Sequence, residues 1–508
     1  MSKTKEILSE YLSLMKEIEW RTHAIKILSY DLETAAPEGG REDDSSDMTT
    51  LDKEVIALER KSYSLLDELK KEDLSSLDSF TQREITLALR DKANKEKIPP
   101  SLEEEMGELF NSSYITWLKA KQDKDFEEFK PSLEKIAAIE KKVVSLREPD
   151  AKEPYDVLFS DYEYGFTTKD LDPFFEEIQE TVVPLLKAIR KSSYVPRHDF
   201  LTRRVPISKQ EEFTKFLLSF NGFDFRRGSA STTEHPFTEQ FGKDDVRVTT
   251  KYSETAFVSN MYSIIHEGGH ALFGQNIPSE VFSSHLGEGS LTMAKHESVS
   301  RFYENVIGRS KAYIHAIYPR FHELFKEEMS DVSEDDLYEG VNYIDLDNRL
   351  RTEADELTYS LHIIIRYQLE KEMMKEKNLD FDKIKAKWNS LYENLLGVKV
   401  RNDQEGILQD VHWASGFGYF PTYALGNALN ILYFTKMNES IYVYQEVSEG
   451  HMDKILSYLR ENVFAKAPLL DTKEWIKEVS GREFSATPYC EYLKKKFTAL
   501  YHLDEQKE

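Results

Sequence analysis

A single cysteine, Cys490, occurs in 508 residues. One thiol excludes an intramolecular disulfide and any cysteine-rich metal site, and it suits a reducing compartment. The chain also lacks an apolar run of about 18 residues, the length expected of a membrane-crossing helix. Positive charge is in deficit: 67 Lys and Arg stand against 92 Asp and Glu, a formal net charge of −25. That balance argues against nucleic acid or an anionic membrane surface as the main partner. The start, Met1-Ser2-Lys3-Thr4-Lys5-Glu6, runs into Ile7-Leu8-Ser9-Glu10 without the apolar core of a secretory signal, so the expected location is the cytoplasm. No Pro/Gly/Ser-rich linker, internal repeat or low-complexity segment divides the chain. Residues 1–508 are therefore read as one unit, although two or three domains are the neutral expectation at this length.

What the chain does have is helical patterning. Hydrophobic residues make up 40% and aromatics 12%, ample for a large core. Ile7, Leu8, Tyr11, Leu12, Met15 and Ile18 follow helical spacing, as do the regions 51–70 and 80–95. Ser101 with Glu104, and Ser208 with Glu211, read as capping boxes opening helices, and Asn221-Gly222 reads as a helix stop. A long helix is expected from about Leu350, with Ala354, Leu357, Leu361, Ile364 and Leu369 on one face. The exception is Asp245-Val246-Arg247-Val248-Thr249-Thr250, whose alternation reads as a short strand.

Just beyond that strand lies Ile264-Ile265-His266-Glu267-Gly268-Gly269-His270-Ala271-Leu272-Phe273, an H-E-x-x-H motif in a helix-compatible apolar stretch. Residues four apart share a helix face, so His266 and His270 can aim imidazole nitrogens at one ion. Glu267 is rotated by about 100°, placed to reach a metal-activated water without ligating the metal. These are the parts needed for metal-assisted hydrolysis. The bland alternative is a helix with two solvated histidines. Against it stand Gly268 and Gly269, each costing about 1 kcal/mol in a helix interior relative to Ala, which signals close approach of something to the backbone.

A third ligand must come from elsewhere. The continuation H-x-x-G-x-x-H is absent, because Phe273 and Asn276 occupy the Gly and His positions. Glu280, His285, Glu288, His296, Glu297 and Glu304 remain as candidates. Gly287 to Ser290 reads as a loop and Leu291 to Ile307 as a second helix returning beside the first. Glu297 lies in its interior, where a carboxylate is costly unless paired or metal-bound. His296 is read as a neighbour of the site.

These blocks carry a resemblance. His235-Pro236-Phe237, Asp245-x-Arg247-x-Thr249, His266-Glu267-x-x-His270 and His296-Glu297-Ser298-x-Ser300-Arg301 come first. Arg351-Thr352-Glu353-Ala354-Asp355, Gly406-x-x-Gln409-Asp410-x-His412-Trp413 and Gly418-Tyr419-Phe420-Pro421-Thr422-Tyr423 follow. In this order they resemble the carboxypeptidase Taq (M32) family of metallocarboxypeptidases. One stretch departs: Gly228 to Thr233 lacks an Arg-x-Asp-x-Ser sequence expected there.

The resemblance implies a mostly α-helical metallopeptidase fold with a deep substrate groove and a small β-sheet beside the H-E-x-x-H helix. Roughly residues 1–95 would form part of the groove wall or a lid. It implies a homodimer that acts on peptides with a free C-terminus and releases single C-terminal amino acids with broad specificity. His266, His270 and Glu297 would bind one Zn²⁺, or Co²⁺, per subunit, and Glu267 would be the general base. His412, Tyr423 and Tyr419 are candidate donors to the developing oxyanion. Arg351 is the first choice for gripping the substrate carboxylate, against an internal pair with Asp355. Arg247 is the second choice, against a pair with Asp245, and His235 belongs to the groove. A helical oligopeptidase or dipeptidyl carboxypeptidase of the thimet or angiotensin-converting type is the alternative.

Overall fold

The computed structural model describes residues 3–286 and 290–504. Eight helices come first: α1 Lys3–Thr34, α2 Arg41–Leu69, α3 Ser79–Lys95, α4 Pro100–Asp123, α5 Phe126–Arg147, α6 Pro154–Phe159, α7 Thr168–Lys191 and α8 Ile207–Asn221. Strands β1 Gly228–Thr232, β2 Thr238–Gly242 and β3 Asp245–Thr250 follow. Then come α9 Phe257–Asn276, α10 Glu280–Ser283, α11 Met293–Arg301, α12 Lys311–Met329, α13 Glu334–Val341, α14 Tyr359–Lys375 and α15 Phe381–Leu391. The last five are α16 Pro421–Ile441, α17 Val443–Ser448, α18 Met452–Asn462, α19 Thr472–Ser480 and α20 Thr487–Leu500. The fold is mostly helical, as expected, with one small sheet.

That sheet has the order β1-β3-β2. The expected strand, β3, is its centre, parallel to β1 and antiparallel to β2. Val246 and Val248 of β3 are fully buried, while neither flanking strand is so apolar. A side-chain bond ties the sheet to the helix beyond it: Asn260 Nδ2 of α9 donates to Thr250 Oγ1 over 2.8 Å. Helix α9 is then buried along nearly its whole length, through Phe257, Met261, Ile264, Ile265, Leu272 and Phe273.

The close approach signalled by the paired glycines is present. A Cβ on Gly269 would lie 2.7 Å from the Ser300 Cα, so α11 packs backbone to backbone on α9. On the far side of α11, Gly426 of α16 makes a second such approach. The second helix expected over 291–307 is α11 continued by a π-helical turn, Phe302–Ile307.

The first three helices hold a small apolar cluster of their own, built from Ile7, Tyr11, Leu14, Leu65, Leu66, Leu69 and Ile85. They meet the body at several places, two of which are close to the sheet and to α19. Lys26 Nζ of α1 donates to the Gln240 carbonyl of β2 at 3.1 Å. Arg83 and Arg90 of α3 both bind Asp471, which precedes α19.

Three expectations need correction. No long helix begins at Leu350: a single 3₁₀ turn, Arg351–Glu353, is followed by extended chain, and α14 starts only at Tyr359. The Asp355 carboxylate accepts from the N–H groups of Leu357 and Thr358, capping the chain where the helix was expected to be under way. Neither capping box forms. Pro99 and Pro206 occupy the cap positions of α4 and α8 with no side-chain cap bond. Proline's fixed φ sets the entry instead. The stop at Gly222 is as expected, with φ of 100°.

Candidate metal centre

Two parallel seams of side chains face each other where α11 crosses α9. His266 Nε2 and His270 Nε2, one helical turn apart, each lie 3.5 Å from the same Glu297 oxygen, Oε2. Ligands at about 2.0–2.1 Å on a tetrahedral ion sit about 3.4 Å from one another. Both His–Glu spacings therefore suit a small divalent cation, and all three ligand atoms, two nitrogens and one carboxylate oxygen from adjacent helices, lie within 4.8 Å of one another.

Two of the three, His266 and Glu297, are oriented by neighbours. Glu304 Oε2 accepts from or donates to His266 Nδ1 at 2.9 Å, according to the tautomer. As a carboxylate it accepts, which leaves Nε2 as the free lone pair. Glu304 reaches that position from the π-helical turn, whose extra residue per turn rotates it away from the Glu297 face. Arg301 joins the two carboxylates: its Nε donates to Glu297 Oε1 at 2.7 Å and its Nη1 to Glu304 Oε2 at 3.0 Å. Ser300 Oγ adds a 3.0 Å bond to Glu297 Oε2. Burial is the largest influence on Glu297 and pushes its carboxyl up. Arg301, His266 and His270 outweigh it and hold the group well below the ordinary carboxylate range. Glu304, also buried, is held down to about 2 by Arg301, His266 and Arg309.

The other candidate ligands fall away from this point. Glu280 sits in α10, His285 Nδ1 binds Glu19, and His296 lies edge-on to Phe273 with burial pushing it down to about 3. Glu288 lies outside the described residues.

Glu267 faces the same cavity, a space of about 610 Å³ that also takes in Phe237, Thr238, His296, Tyr419 and Tyr423. Thr238 Oγ1 donates to Glu267 Oε2 at 2.7 Å, and Oε1 carries no bond within the described chain. Thr238 carries no sequence signal for this role. It reaches Glu267 only because β2, which sequence alternation does not reveal, pairs beside β3.

Of the candidate oxyanion donors, Tyr419 and Tyr423 line the cavity and His412 stands behind them. His412 Nε2 lies 3.2 Å from the Tyr423 hydroxyl, and burial pushes this imidazole down to about 4, so it is neutral near pH 7. Burial likewise raises Tyr419 to about 12 and Tyr423 well above its ordinary value, which keeps both as O–H groups.

Arg351 is buried at the back of Tyr423, its guanidinium carbon 5.1 Å from that ring. Its partner is Asp410, with Nε to Oδ1 at 2.7 Å, and not Asp355. Nη1 donates to Tyr359 Oη at 3.0 Å, and Nη2 makes no bond within the described chain. Arg247 is occupied, forked onto Asp245 and stacked 4.4 Å over Phe241. His235 is exposed in the connection between β1 and β2, next to Pro236 and Phe237 of the cavity wall.

A cavity lined by two histidines and a glutamate that could share one ion, with an adjacent carboxylate, has the make-up expected of a metallopeptidase site. Residues 10–497 match the carboxypeptidase Taq (M32) metallopeptidase family, and the chain belongs to it. Carboxypeptidase 1 of Bacillus subtilis is 34% identical over 498 residues, covering 97% of this chain and 98% of that one. Thermostable carboxypeptidase 1 of Pyrococcus furiosus is 32% identical over 509 residues, covering 97% and 98%. Among solved structures, the M32 carboxypeptidase from Deinococcus radiodurans R1 superposes with a TM-score of 0.92 at 30% identity, covering 98% of this chain and all of that one. The protein is thus a metallocarboxypeptidase that releases C-terminal residues from peptides, with a divalent metal, and the oligopeptidase alternative is set aside. Among the described residues no helix is long and apolar enough to cross a membrane.

Proposed function

We propose that His266, His270 and Glu297 hold one Zn²⁺, or Co²⁺, and that Glu267 is the general base for removal of single C-terminal residues of broad type. The observation that carries this is the convergence of two imidazole nitrogens, each 3.5 Å from one Glu297 oxygen, beside a Glu267 carboxylate with one oxygen unbonded among the described residues. The cation, when bound, supplies Lewis acidity toward the scissile carbonyl and the attacking water. Glu267 Oε1 takes the water's proton and returns it to the departing amine, while Thr238 keeps Oε2 fixed. Tyr419 and Tyr423, kept protonated by burial, present O–H donors to the oxyanion. His412 acts through Tyr423 by fixing that hydroxyl. Arg351 receives the substrate's terminal carboxylate at Nη2.

The long hairpin α1–α2, with α3, forms one wall of the groove. A cavity of about 650 Å³ between these helices and the body shares Asp161, Tyr162 and Thr292 with the metal-site cavity, which supports a continuous path for the upstream peptide. Residues 1–508 act as one peptidase unit, working as a cytoplasmic homodimer. Digestion of one peptide as free acid and as C-terminal amide, with products followed by mass spectrometry and metal content measured on the same sample, tests the reading. Stepwise loss of single residues from the acid only, proportional to bound metal, is expected. Internal cleavage of the amide would sink it.

A further inference from the structure

The carboxylate-binding arginine does not stand alone. Asp410, between the two guanidiniums, binds Arg351 Nε through Oδ1 at 2.7 Å and Arg366 through Oδ2, at 2.8 Å from Nε and 2.7 Å from Nη2. Arg366, on α14, is fully buried. Its Nη1 donates to the Tyr392 hydroxyl at 2.9 Å and its Nη2 to Gln409 Oε1 at 3.0 Å, so every nitrogen is engaged. Gln409 Oε1 in turn accepts from the Arg351 backbone N–H at 3.1 Å. Arg351 is thus gripped by backbone and side chain from one network, and among the described residues only its Nη2 is left unbonded.

The charge count matters as much as the geometry. Two guanidiniums share one carboxylate, leaving a net charge of +1 in a dry setting. The next carboxylate along α14, Glu370, is pushed by burial up to about 7, against the pull of its hydrogen-bond donors and Arg366, so near pH 7 it balances that charge only in part. Its oxygens accept from Trp413 Nε1, Tyr155 Oη and the Gly418 N–H. A buried excess charge is costly unless something answers it. An anion arriving at Arg351 Nη2 restores neutrality.

We infer that Arg366 is a positioning residue for substrate-carboxylate recognition. It shares Asp410 with Arg351, so that Asp410 cannot take up the whole Arg351 fork, and it supplies the surplus charge that a free C-terminus neutralises. This rests on the reading of Arg351 as the carboxylate receptor and deepens it. With Arg366 gone, Asp410 and Arg351 pair one to one, the surplus vanishes, and Nη2 is drawn toward Asp410. Arg366 itself touches no substrate.

The test is binding calorimetry on metal-loaded enzyme, with an N-blocked amino acid and the same compound as its amide. Wild type is expected to prefer the acid. Arg366→Met should reduce acid affinity on the order of ten- to a hundred-fold, the scale of a misplacement of about 1 Å, with amide affinity unchanged. Arg366→Lys and Tyr392→Phe, which keep the charge but loosen the grip, should give smaller losses of the same kind. They keep the question open to measurement should Arg366→Met not fold. Arg351→Met separates the two readings. If it erases the acid preference while all three network variants retain it in full, the inference about Arg366 is overturned and Arg351 stands. If Arg351→Met leaves the preference intact, the carboxylate assignment fails first. Equal losses for acid and amide in the network variants would mark a merely structural role and also overturn the inference.

Discussion

Gly269→Ala should loosen the metal more than the fold. The proposed metal donors are split between α9, with His266 and His270, and α11, with Glu297, so their spacing depends on how closely the two helices pack. A methyl on Gly269 would sit 2.7 Å from Ser300 Cα and 3.1 Å from the Val299 carbonyl oxygen. Both are backbone atoms that no rotamer change can move. Ordinary contact begins at 3.4 Å, so α11 must retreat by about 0.7 Å, and Gly426 blocks an easy escape because Glu297 Cβ already lies 2.8 Å from where its own Cβ would be. Alanine gains about 1 kcal/mol in helix propensity, while overpacking costs about 1–3 kcal/mol, so the net stability loss is about 0–2 kcal/mol. Metal–ligand distances tolerate only about 0.2 Å, well under the forced shift. Metal affinity, read by competition with a chromogenic chelator, should therefore fall at least about tenfold, with apo thermal stability changed little. Gly107→Ala on α4, where a methyl meets nothing within 4 Å, is the control and should leave metal binding untouched. Wild-type metal affinity in Gly269→Ala would refute the argument that backbone contact sets the ligand spacing.

Three further outcomes follow from the same geometry. Glu267→Gln should keep the metal and the fold but lose about 10²–10⁴ of turnover; metal loss, measured by elemental analysis, would contradict its role as base. Glu304→Gln should weaken metal retention by about 10–100-fold, since a neutral amide grips His266 less firmly, and an unchanged chelator midpoint would rule this out. Glu140, packed against the chain at Gly416 and Phe417, is pushed by burial, and secondarily by Asp161, from the ordinary 4.5 up to about 8. Its contribution to stability is complete below the unfolded value and is lost as pH rises through the folded one. Melting curves from pH 5 to 8 should therefore show Glu140→Gln gaining on wild type as pH rises. Parallel curves would show that Glu140 does not titrate there.

The local parts of the site were legible in the sequence, and the parts that depend on backbone register were not. Spacing alone puts His266 and His270 on one helix face, and paired glycines announce the close neighbour that proves to be α11. The short strand β3 shows itself by alternation. Strands β1 and β2 do not, because Gly228-Ser229-Ala230-Ser231-Thr232 and Thr238-Glu239-Gln240-Phe241-Gly242 carry little apolar patterning and form by pairing with β3. Without β2 there is no view of Thr238 beside Glu267. Periodicity fails in a second way at Glu304. A regular helix would put it seven residues, about two turns, from Glu297 and near the same face. The π-helical turn breaks that count and sends it to the back of His266. The helix expected from Leu350 fails for a third reason. Arg351 gives its backbone N–H to Gln409, and Asp355 caps the chain at Leu357 and Thr358. An Asp three residues before Thr358 and an apolar run was a readable cap signal, whereas the pull of Gln409, 58 residues on, was not. Long-range hydrogen bonds override local propensity where a polar network must be completed. Here the network so completed is the one that holds Arg351, so the stretch least predictable from local sequence is the one that carries the proposed receptor for a free C-terminus.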